Sequence, residues 1–371
     1  MFKHVVLHRM LKPFFKIKSF KTNRKIVVIE SDDWGAMTVP TLDIYNELIR
    51  KGLNLEKSHY TRFDTLEDVT DLDALYTVLS KYKDSRGRSP IVTMNFIMAN
   101  PDYQAIKESG FTEYRYECLN ETYRRFGKGD VLDKVKSGMQ DGLVYPQLHG
   151  REHLNVSLWL RYLRDSFTPI RLAFDYEMFA VTTGSSGIPM ESVKRSLFSR
   201  DEKELIINKE QITDAQKIFE KTFGFKSQSF VAPNYCWNPT LELTMYENGI
   251  KYLQSSYIQT YCDLNTGKLK EKWHYLGQRN SQGMLFSVRN VKFEPSERED
   301  DITDKTLRDI SVCFSNNQPA IISCHRVNFN GGLQVKNRDK SLSQLDKLLK
   351  ELIKTYPDVE FLSSEELFNI M

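Results

Sequence analysis

The sequence predicts an α/β fold built on a parallel sheet. Short apolar runs of strand length alternate along the chain with amphipathic stretches of helical period, an order typical of βαβ units. Three groups of polar residues directly follow such runs, and parallel sheets collect their functional groups at the carboxyl ends of strands. The length of 371 residues allows two domains, but no linker divides the chain and a single barrel fits as well.

Individual elements follow from the apolar period and from end signals such as Gly and Pro. Predicted strands are 26–29, 91–97, 143–148, 229–232, 251–255, 320–324 and 359–362. Predicted helices are 41–51, 72–82, 209–223, 240–248 and 343–355. We therefore expect a basic segment over 1–25 and one domain over 26–371, with insertions near 100–140 and 155–208 and surface loops at 184–187 and 295–301.

The composition excludes several classes of protein. Hydrophobic residues make up 40% and charged residues 27% of the chain, which excludes collagen-like, mucin-like and wholly disordered proteins. A net charge of +3 is too balanced for a dedicated nucleic-acid binder, and no apolar run reaches the length of a membrane-spanning helix. The five cysteines are odd in number and form no CxxC pair, which argues against a disulfide framework or a thiolate zinc site and favours a reducing, cytoplasmic location.

The first 25 residues differ from the rest, since they carry eight basic side chains and no acid. They contain no continuous apolar stretch and no cleavage-site pattern, so a secretory signal is not expected. Three structures remain open: an amphipathic helix that lies on anionic lipid at the inner face of the membrane, a solvated basic arm, or a first helix packed on the domain.

Two adjacent carboxylates follow the first predicted strand in the segment Glu30–Gly35. Asp32 and Asp33 are costly to bury unless a metal ion or an ordered positive charge accompanies them. Neighbouring strand residues point to opposite faces, but a bend at Trp34 and the following glycine would turn both toward one site. The alternative is an exposed acidic turn that caps the next helix.

Two histidines follow the third predicted strand with a spacing of four residues. On a helical turn, His149 and His153 would lie on one side and bind one metal ion through their ring nitrogens. The alternative is a pair of surface or core histidines without a ligand. Glu152 stands in the fourth position of this motif, not the second, which argues against a zinc metalloprotease.

A third group follows the strand-like run 320–324. His325 at its end has the chemistry of a general acid, although a single histidine is more often structural. Cys324 is a weaker candidate as a nucleophile, because its neighbour points to the other face of the strand. Asp33, His149 and His153 form a ligand set that suits Zn²⁺, with Co²⁺, Ni²⁺ and Fe²⁺ as alternatives, and Asp32 and His325 remain as a base and an acid for metal-assisted hydrolysis.

At this point the sequence resembles the polysaccharide deacetylase family, which is carbohydrate esterase family 4 with its NodB-homology domain. Its four motifs are matched in order by Ser31-Asp32-Asp33, His149–His153, Phe230–Tyr235 and Ser323–His325. The resemblance implies a distorted (β/α)7 barrel that removes N-acetyl, less often O-acetyl, groups from sugars with a divalent metal. It implies Asp32 as the base, His325 as the acid, the backbone N–H of Asn234 as an oxyanion donor, and Asp33, His149 and His153 as the metal ligands.

The chain also departs from the motifs of that family. Val231 replaces the arginine that orients the base, Ser323 replaces the leucine that lines the acetate pocket, and Gly150 stands where Ser or Thr is usual. Arg151 or Arg326 would supply the missing positive charge. The separate Asp that tunes the acid histidine has no direct match, although Glu294 and Glu297 lie in about the right segment.

Substrate contacts are expected from side chains near the motifs, with core packing or a lid as the alternative for each aromatic ring. These side chains are Trp34, Arg151, Tyr235, Trp237, Arg326 and Phe329. The predicted function is therefore a metal-dependent hydrolase that deacetylates a sugar of a polysaccharide or glycan precursor, with carbohydrate and not nucleic acid as its partner. A catalytically silent carbohydrate-binding module and a metal hydrolase with another acyl or phosphate substrate are the alternatives.

Overall fold

A parallel sheet forms the centre of the structure, a computed structural model that describes residues 17–371. In chain order the strands are β1 Lys25–Trp34, β2 Val92–Ile97, β3 Ala99–Pro101, β4 Tyr116–Cys118, β5 Val144–Gly150, β6 Ser229–Val231, β7 Tyr252–Ser255, β8 Ile258–Asp263, β9 Lys268–Trp273, β10 Leu285–Val288, β11 Val291–Lys292, β12 Ala320–His325 and β13 Val359–Leu362. The main sheet has the order β10-β7-β6-β5-β2-β1-β12-β11, and β13 pairs with the first residues of β1. The strands β3 and β4, and likewise β8 and β9, form separate antiparallel pairs.

The two edges of the main sheet meet, so the sheet closes into a barrel. The edge strands β10 and β11 follow each other directly, separated by Arg289 and Asn290 alone. The N–H of Arg289 donates to Ser255 in β7, and the N–H of Asn290 donates to Ile321 in β12. These two consecutive residues therefore form a seam that joins the opposite edges. The predicted α/β class and barrel architecture are confirmed.

Helices connect the strands and cover the sheet. They are α1 Leu42–Arg50, α2 His59–Phe63, α3 Val69–Ser80, α4 Tyr103–Glu108, α5 Leu119–Arg125, α6 Val131–Gln140, α7 Val156–Arg164, α8 Thr168–Phe174, α9 Thr183–Ser186, α10 Glu202–Phe223, α11 Leu241–Glu247, α12 Thr303–Ser315, α13 Val335–Thr355 and α14 Ser364–Ile370. Among the described residues, no helix combines the length and the apolar character that crossing a membrane requires.

A second apolar core lies apart from that of the barrel. It is formed by residues from segments that follow the carboxyl ends of β1, β2 and β5, among them Leu48, Tyr103, Trp159 and Phe174. We refer to segments 39–55, 103–111 and 154–193 together as the cap. In contrast, helix α5, which begins at Leu119, and helix α6 pack on the barrel core. The cap therefore covers the edge of the sheet at which the polar motifs lie.

The predicted elements are present, and the differences have local causes. The helix predicted over 209–223 begins earlier, at Glu202, because the side chain of Asp201 accepts a hydrogen bond from the backbone N–H of Glu204 and caps it. The loop predicted at 184–187 is mostly a short helical turn. The elements that were not predicted are the strands β3, β4 and β8–β11 and the helices α2, α4–α9, α12 and α14. Residues 1–16 of the predicted basic segment lie outside the described residues.

Candidate active site

The adjacent carboxylates of Asp32 and Asp33 face one space because β1 is irregular at its end. The register between β1 and β2 shifts between Ser31 and Trp34. Asp33 has a φ of 72°, a left-handed conformation that is uncommon for residues other than glycine and that concentrates at functional sites. Gly35 follows with a φ of 80°, and a Cβ atom there would lie 2.6 Å from a backbone carbonyl oxygen. The predicted bend is present, and it begins at Asp33 itself.

The two histidines of the second motif converge, but not on a helical turn as predicted. His149 is the penultimate residue of β5, and His153 lies beyond the strand. Gly150 between them has a φ of 143°, a conformation that glycine adopts readily, and its position allows the chain to fold back. The two ring centroids lie 5.2 Å apart. A strand end and a tight turn thus bring the rings together in place of a helix.

The ring of His149 is oriented by the backbone of β6. Its Nδ1 lies 2.8 Å from the carbonyl oxygen of Val231. A carbonyl can only accept, so Nδ1 carries the proton, and in the neutral imidazole Nε2 presents its lone pair to the site. A hydrogen bond of this kind to the second ring nitrogen is typical of metal-ligating histidines.

Asp33, His149 and His153 form a cluster whose ligand atoms all lie within 4.8 Å of one another. The Oδ1 atom of Asp33 lies 3.3 Å from Nε2 of His149 and 3.5 Å from Nε2 of His153. Burial would raise the pKa of Asp33, but its electrostatic interactions with the neighbouring histidines hold it well below its usual range. Burial lowers the pKa of His153 to about 4 despite the attraction of Asp33, so this ring is neutral at neutral pH.

The donor set of this cluster fits a metal ion. The Oδ1 atom of Asp33 and the Nδ1 atom of His153 are buried without a hydrogen-bond partner among the described residues. Buried polar atoms that lack hydrogen-bond partners are costly, and a cation bound between this carboxylate and the two rings would offset that cost. Two imidazoles and one carboxylate with open positions are a donor set that Zn²⁺ accepts, and Co²⁺, Ni²⁺ and Fe²⁺ also fit.

Asp32 is fixed by a buried arginine at the barrel seam. Arg289 donates from Nη1 to Oδ2 of Asp32 at 2.5 Å, from Nη2 to Oδ1 at 2.7 Å and from Nε to Glu30 at 2.6 Å. Asn95 donates to Oδ1 of Asp32 at 2.8 Å. Burial would raise the pKa of Asp32, but Arg289 lowers it far below its usual range. Asp32 is therefore a carboxylate that is held in one orientation.

Arg289 corrects the prediction that Arg151 or Arg326 supplies the positive charge absent at Val231. Arg151 donates to Glu152 at 2.6 Å and to Asp214 at 2.9 Å. Arg326 is completely enclosed and bonded to acids of the segment after β1. Neither arginine lines the cavity, so their expected contact with substrate is not supported either.

His325 is held through its Nδ1 atom by Glu294. Oε1 of Glu294 is in very close contact with Nδ1, and Asn328 donates to Oε2 of the same carboxylate at 2.7 Å. The hydroxyl of Tyr60 lies 3.1 Å from the same ring nitrogen. Glu297, the other sequence candidate for this position, pairs instead with the ammonium of Lys292. The structure therefore selects Glu294 as the carboxylate that contacts the third motif.

The acids around His325 keep its imidazole protonated. Burial alone would lower the pKa of His325, but Glu294, with smaller contributions from Asp33 and Asp32, raises it to about 9. The Nε2 atom points toward Asp32, 3.9 Å from its Oδ2. At neutral pH the site thus contains a fixed carboxylate opposite a charged imidazolium, which is an arrangement suited to proton transfer in both directions.

The third predicted motif forms a strained turn at the cavity. Asn234 and Tyr235 have φ angles of 56° and 51°, both left-handed. The turn hydrogen bonds around them use other donors, such as the N–H of Tyr235 to Ala232 at 2.9 Å. Among the described residues no acceptor is found for the backbone N–H of Asn234, which the resemblance identifies as an oxyanion donor.

The residues at which the chain departs from the family motifs, and the neighbouring Cys324, have different positions in the structure. The side chain of Val231 is buried, and its carbonyl orients His149. The hydroxyl of Ser323 lines the cavity and lies 3.4 Å from Nη1 of Arg289, so this wall is polar. The thiol of Cys324 is completely buried, donates to a backbone carbonyl of β1, and has a pKa raised by burial. These properties do not support Cys324 as a nucleophile.

The aromatic candidates are divided between core and cavity. Trp34 is enclosed in the barrel core, where it stacks on Phe329 at a centroid distance of 6.5 Å. Trp237 is also enclosed and stacks on His274. Neither ring reaches the cavity, so the structure supports packing for both and leaves Tyr235 as the member of the predicted substrate set that lines it.

The motifs open on a cavity of about 710 Å³. Its wall contains Asp32, Tyr60, His149, His153, Asn234, Tyr235, Lys292, Glu294, Lys305, Asp309, Ser323 and His325. Sequence reasoning missed Arg289 and Tyr60, which contact the base and acid candidates. A possible signal was the pair Arg289-Asn290 at the end of a short apolar run, but a run of four residues is weak evidence for a strand.

A sequence model for a known family matches a continuous part of the chain. The model of glycosyl hydrolase family 57 matches residues 40–263. The chain belongs to glycosyl hydrolase family 57. A glycosyl hydrolase family agrees with the predicted carbohydrate substrate class, whereas the narrower assignment to the polysaccharide deacetylases is supported only in part. No curated protein matches the chain significantly.

Solved structures with a similar fold include enzymes that act on alpha-glucans and a polysaccharide deacetylase. The 4-alpha-glucanotransferase from Thermococcus litoralis has 10% identity and a TM-score of 0.46, with 94% of this chain and 40% of that chain covered. The chain described here, a member of family 57, therefore spans well under half the length of the glucanotransferase. The alpha-amylase AmyC from Thermotoga maritima has 8% identity and a TM-score of 0.46, with 95% and 75% covered. A probable polysaccharide deacetylase from Pseudomonas aeruginosa PAO1 has 9% identity and a TM-score of 0.45, with 93% and 90% covered.

Proposed function

We propose that this enzyme removes an N-acetyl group from a sugar of a glycan or glycolipid precursor, with a divalent metal bound by Asp33, His149 and His153. The single observation that supports this most is the buried Oδ1 of Asp33, which faces two ring nitrogens and has no hydrogen-bond partner among the described residues. Two imidazoles and one carboxylate are a ligand set that catalytic zinc sites use, which supports the proposal. When bound there, the metal would act as a Lewis acid on the acetyl carbonyl and would lower the pKa of a water molecule.

The remaining roles belong to side chains that surround this cluster. Asp32 is the base that accepts a proton from water, and Arg289 fixes its carboxylate. Because Arg289 also lowers the pKa of Asp32, this base is weak and needs water that has been made more acidic. His325, protonated and held by Glu294, donates a proton to the departing amine nitrogen. The backbone N–H of Asn234 donates to the oxyanion.

The base is tested by the substitution Asp32→Asn in the metal-loaded enzyme. We expect acetate release from N-acetylglucosamine oligosaccharides to fall by about 10²–10⁴-fold, the usual contribution of a general base. Metal content, measured by elemental analysis, should stay unchanged. Asp309→Asn is the matched control, because Asp309 lines the same cavity but pairs with Lys305 at its exposed side. Full turnover in Asp32→Asn would remove Asp32 from this role.

The metal ligands are tested without reference to activity. Asp33→Ala should lose bound zinc on dialysis, whereas Asp32→Asn should retain about one ion per chain under the same conditions. Zinc should also raise the melting temperature of the wild type and not that of Asp33→Ala, since a ligand that binds only the folded state stabilises it. Equal zinc retention by the two variants would contradict the proposed ligand set.

Cleavage of a glycosidic bond is the second candidate, favoured by the family match over residues 40–263. Such hydrolysis needs two carboxyl groups, one of them protonated to act as an acid. Asp32 is unsuited to the acid role because Arg289 lowers its pKa. Product analysis separates the two reactions, since deacetylation releases acetate and leaves the chain length unchanged, whereas glycosidic cleavage produces new reducing ends.

A catalytically silent binding module is the remaining alternative, suggested by Val231 and Ser323. The contacts of Arg289 and Glu294 weigh against it, because they provide the two charges that the motifs lack in sequence. Acetate release from any N-acetylated sugar would exclude a silent module.

A further inference from the structure

One cationic side chain, directly after the last segment of the cap, lies near the site. Lys194 directly follows Val193, which is buried in the cap core and whose carbonyl accepts a hydrogen bond from Asn155 at 2.6 Å. The Nζ atom of Lys194 lies 5.1 Å from the ring centroid of Tyr60. Tyr60 lines the cavity, and its hydroxyl lies 3.1 Å from Nδ1 of His325. The ammonium group is therefore one aromatic ring away from the proposed acid.

This ammonium has no anionic partner of its own among the described residues. The carboxylates whose charges act on it most are Asp33 and Asp64, yet Asp64 is bonded twice by Arg326 and Asp33 faces the two histidines. Burial lowers the pKa of Lys194, and these two acids only partly offset the effect. A cation bound at Asp33 would remove much of that attraction.

The lysines that line the cavity differ from Lys194, which lies behind Tyr60 of the wall, in having a counter-ion. Lys292 pairs with Glu297, and Lys305 pairs with Asp309 at 2.7 Å. A half-buried cation without a counter-ion is costly, and an incoming anion would offset that cost. The face of Tyr60 supports the ammonium through a cation–π contact and leaves its remaining donors free for a ligand.

We propose that Lys194 binds a negatively charged substituent of the sugar chain, so that the substrate is an acidic N-acetylated glycan. This inference rests on the proposed function. The substituent is a hexuronate carboxylate or a sulfate ester, both of which accept hydrogen bonds from an ammonium group. Because Lys194 contacts the ring of Tyr60 and His325 contacts its hydroxyl, the anion binds beside the departing nitrogen and not at it. Lys194 is therefore a residue for specificity, and its loss should affect binding more than turnover.

Binding is measured by calorimetry in the zinc-loaded Asp32→Asn background, where turnover is blocked. The ligands are a neutral N-acetylglucosamine tetrasaccharide, the same chain with a sulfate ester, and a tetrasaccharide of alternating N-acetylglucosamine and glucuronate. Lys194→Met should weaken one or both acidic ligands about tenfold or more, equivalent to about 1.4 kcal/mol, and leave the neutral ligand unchanged. Lys194→Arg should restore most of the affinity, and the control Lys226→Met, at the exposed surface outside the cavity, should change none.

The outcomes separate this inference from the function on which it rests. The acidic ligand whose affinity depends on Lys194 identifies the substituent. Equal weakening of neutral and acidic ligands, or no weakening of either, overturns the role of Lys194, while acetate release by the wild type would still support deacetylation. Absence of both acetate release and binding for every oligosaccharide overturns the two proposals together. Thermal melting of Lys194→Met and Lys194→Arg checks that both variants are folded.

Discussion

Two arginines are buried between pairs of acids at the carboxyl end of the barrel, and they have different consequences. Arg289 holds Asp32 in a wall of the cavity. Arg326 is completely enclosed, binds Asp64 and Glu67 at 2.7 and 2.6 Å, and lies outside the cavity. The chemistry of the two clusters is nearly the same. What differs is whether one of the bonded carboxylates also faces an open space.

The comparison shows that a buried ion cluster can serve stability or orientation, depending on its surroundings. Arg326 also donates to the carbonyl oxygen of Ala36 at 2.7 Å, and Glu67 accepts from the N–H of Gly35 at 2.9 Å. This cluster therefore fixes the segment after β1 to the turn after β12. The Arg289 cluster fixes a side chain, Asp32, that is proposed to react.

The largest effect is expected from Arg326→Met. Removing the guanidinium leaves Asp64 and Glu67 buried without a counter-ion, which should cost about 3–5 kcal/mol of unfolding free energy, measured by denaturant titration. The folded fraction should keep most of its turnover. Arg298→Met is the control, since Arg298 pairs with Asp300 at the exposed surface and such pairs contribute at most about 1 kcal/mol. A turnover loss as large as that of Asp32→Asn would break the comparison.

A smaller but more specific effect is expected from Arg289→Lys. Lysine keeps the positive charge but cannot bond both oxygens of Asp32 in the fixed geometry of a guanidinium. A displaced base should reduce turnover about 10²-fold, with zinc content unchanged. The matched substitution Arg326→Lys should lower the melting temperature and spare turnover. If both variants lose turnover equally, the two clusters do not have separate roles.

Much of the site was predictable from the order of motifs, but its arginine was not. Asp33, His149 and His153 follow strands that can be recognised locally, so their meeting at one edge of a parallel sheet follows from the fold class. Arg289 contacts Asp32 across 257 positions of the chain, and it follows a strand of four residues. No local sequence pattern predicts a contact between two residues so far apart in the chain. Its position depends on barrel closure, which only the complete sheet order reveals.

The alternation of strand residues explains a second error. His325 and Arg326 are neighbours, and both were considered for the site. Side chains of consecutive residues at a strand end point to opposite faces, so a cavity that contains His325 excludes Arg326. The helical turn predicted for His149 and His153 failed for a similar reason, because the motif begins inside β5 and strand geometry applies to its first residues.

His274 is a buried histidine without an acid partner among the described residues, and its pKa shifts in the direction opposite to that of His325. His274 is completely buried, with Nε2 2.8 Å from Oε1 of Gln259 and its ring stacked on Phe286. Burial lowers its pKa to about 3. The unfolded chain, with a pKa near 6.5, binds this proton more readily, so stability is complete above pH 6.5 and falls as the pH decreases toward 3.

His274→Phe should remove that part of the pH dependence. Relative to this variant, the wild type should lose about 2 kcal/mol of unfolding free energy between pH 7.5 and pH 5, measured by denaturant titration at both values. Phenylalanine fits the stack with Phe286, although the hydrogen bond to Gln259 is lost, so the comparison uses the change with pH and not the absolute stability. A constant difference between wild type and variant would contradict a neutral buried His274.

The smallest effect is expected from Tyr235→Phe, which examines how Arg289 is held. The hydroxyl of Tyr235 accepts from Nη1 of Arg289 at 3.0 Å, whereas Glu30 and Asp32 bond the same guanidinium as charged partners. A hydrogen bond from a charged guanidinium to a neutral hydroxyl contributes about 1.5 kcal/mol, so turnover should fall by about tenfold at most, with zinc content unchanged. The ring remains available to a sugar in the variant. A loss near that of Arg289→Lys would mean that the tyrosine, and not the pair of acids, determines the orientation of the arginine.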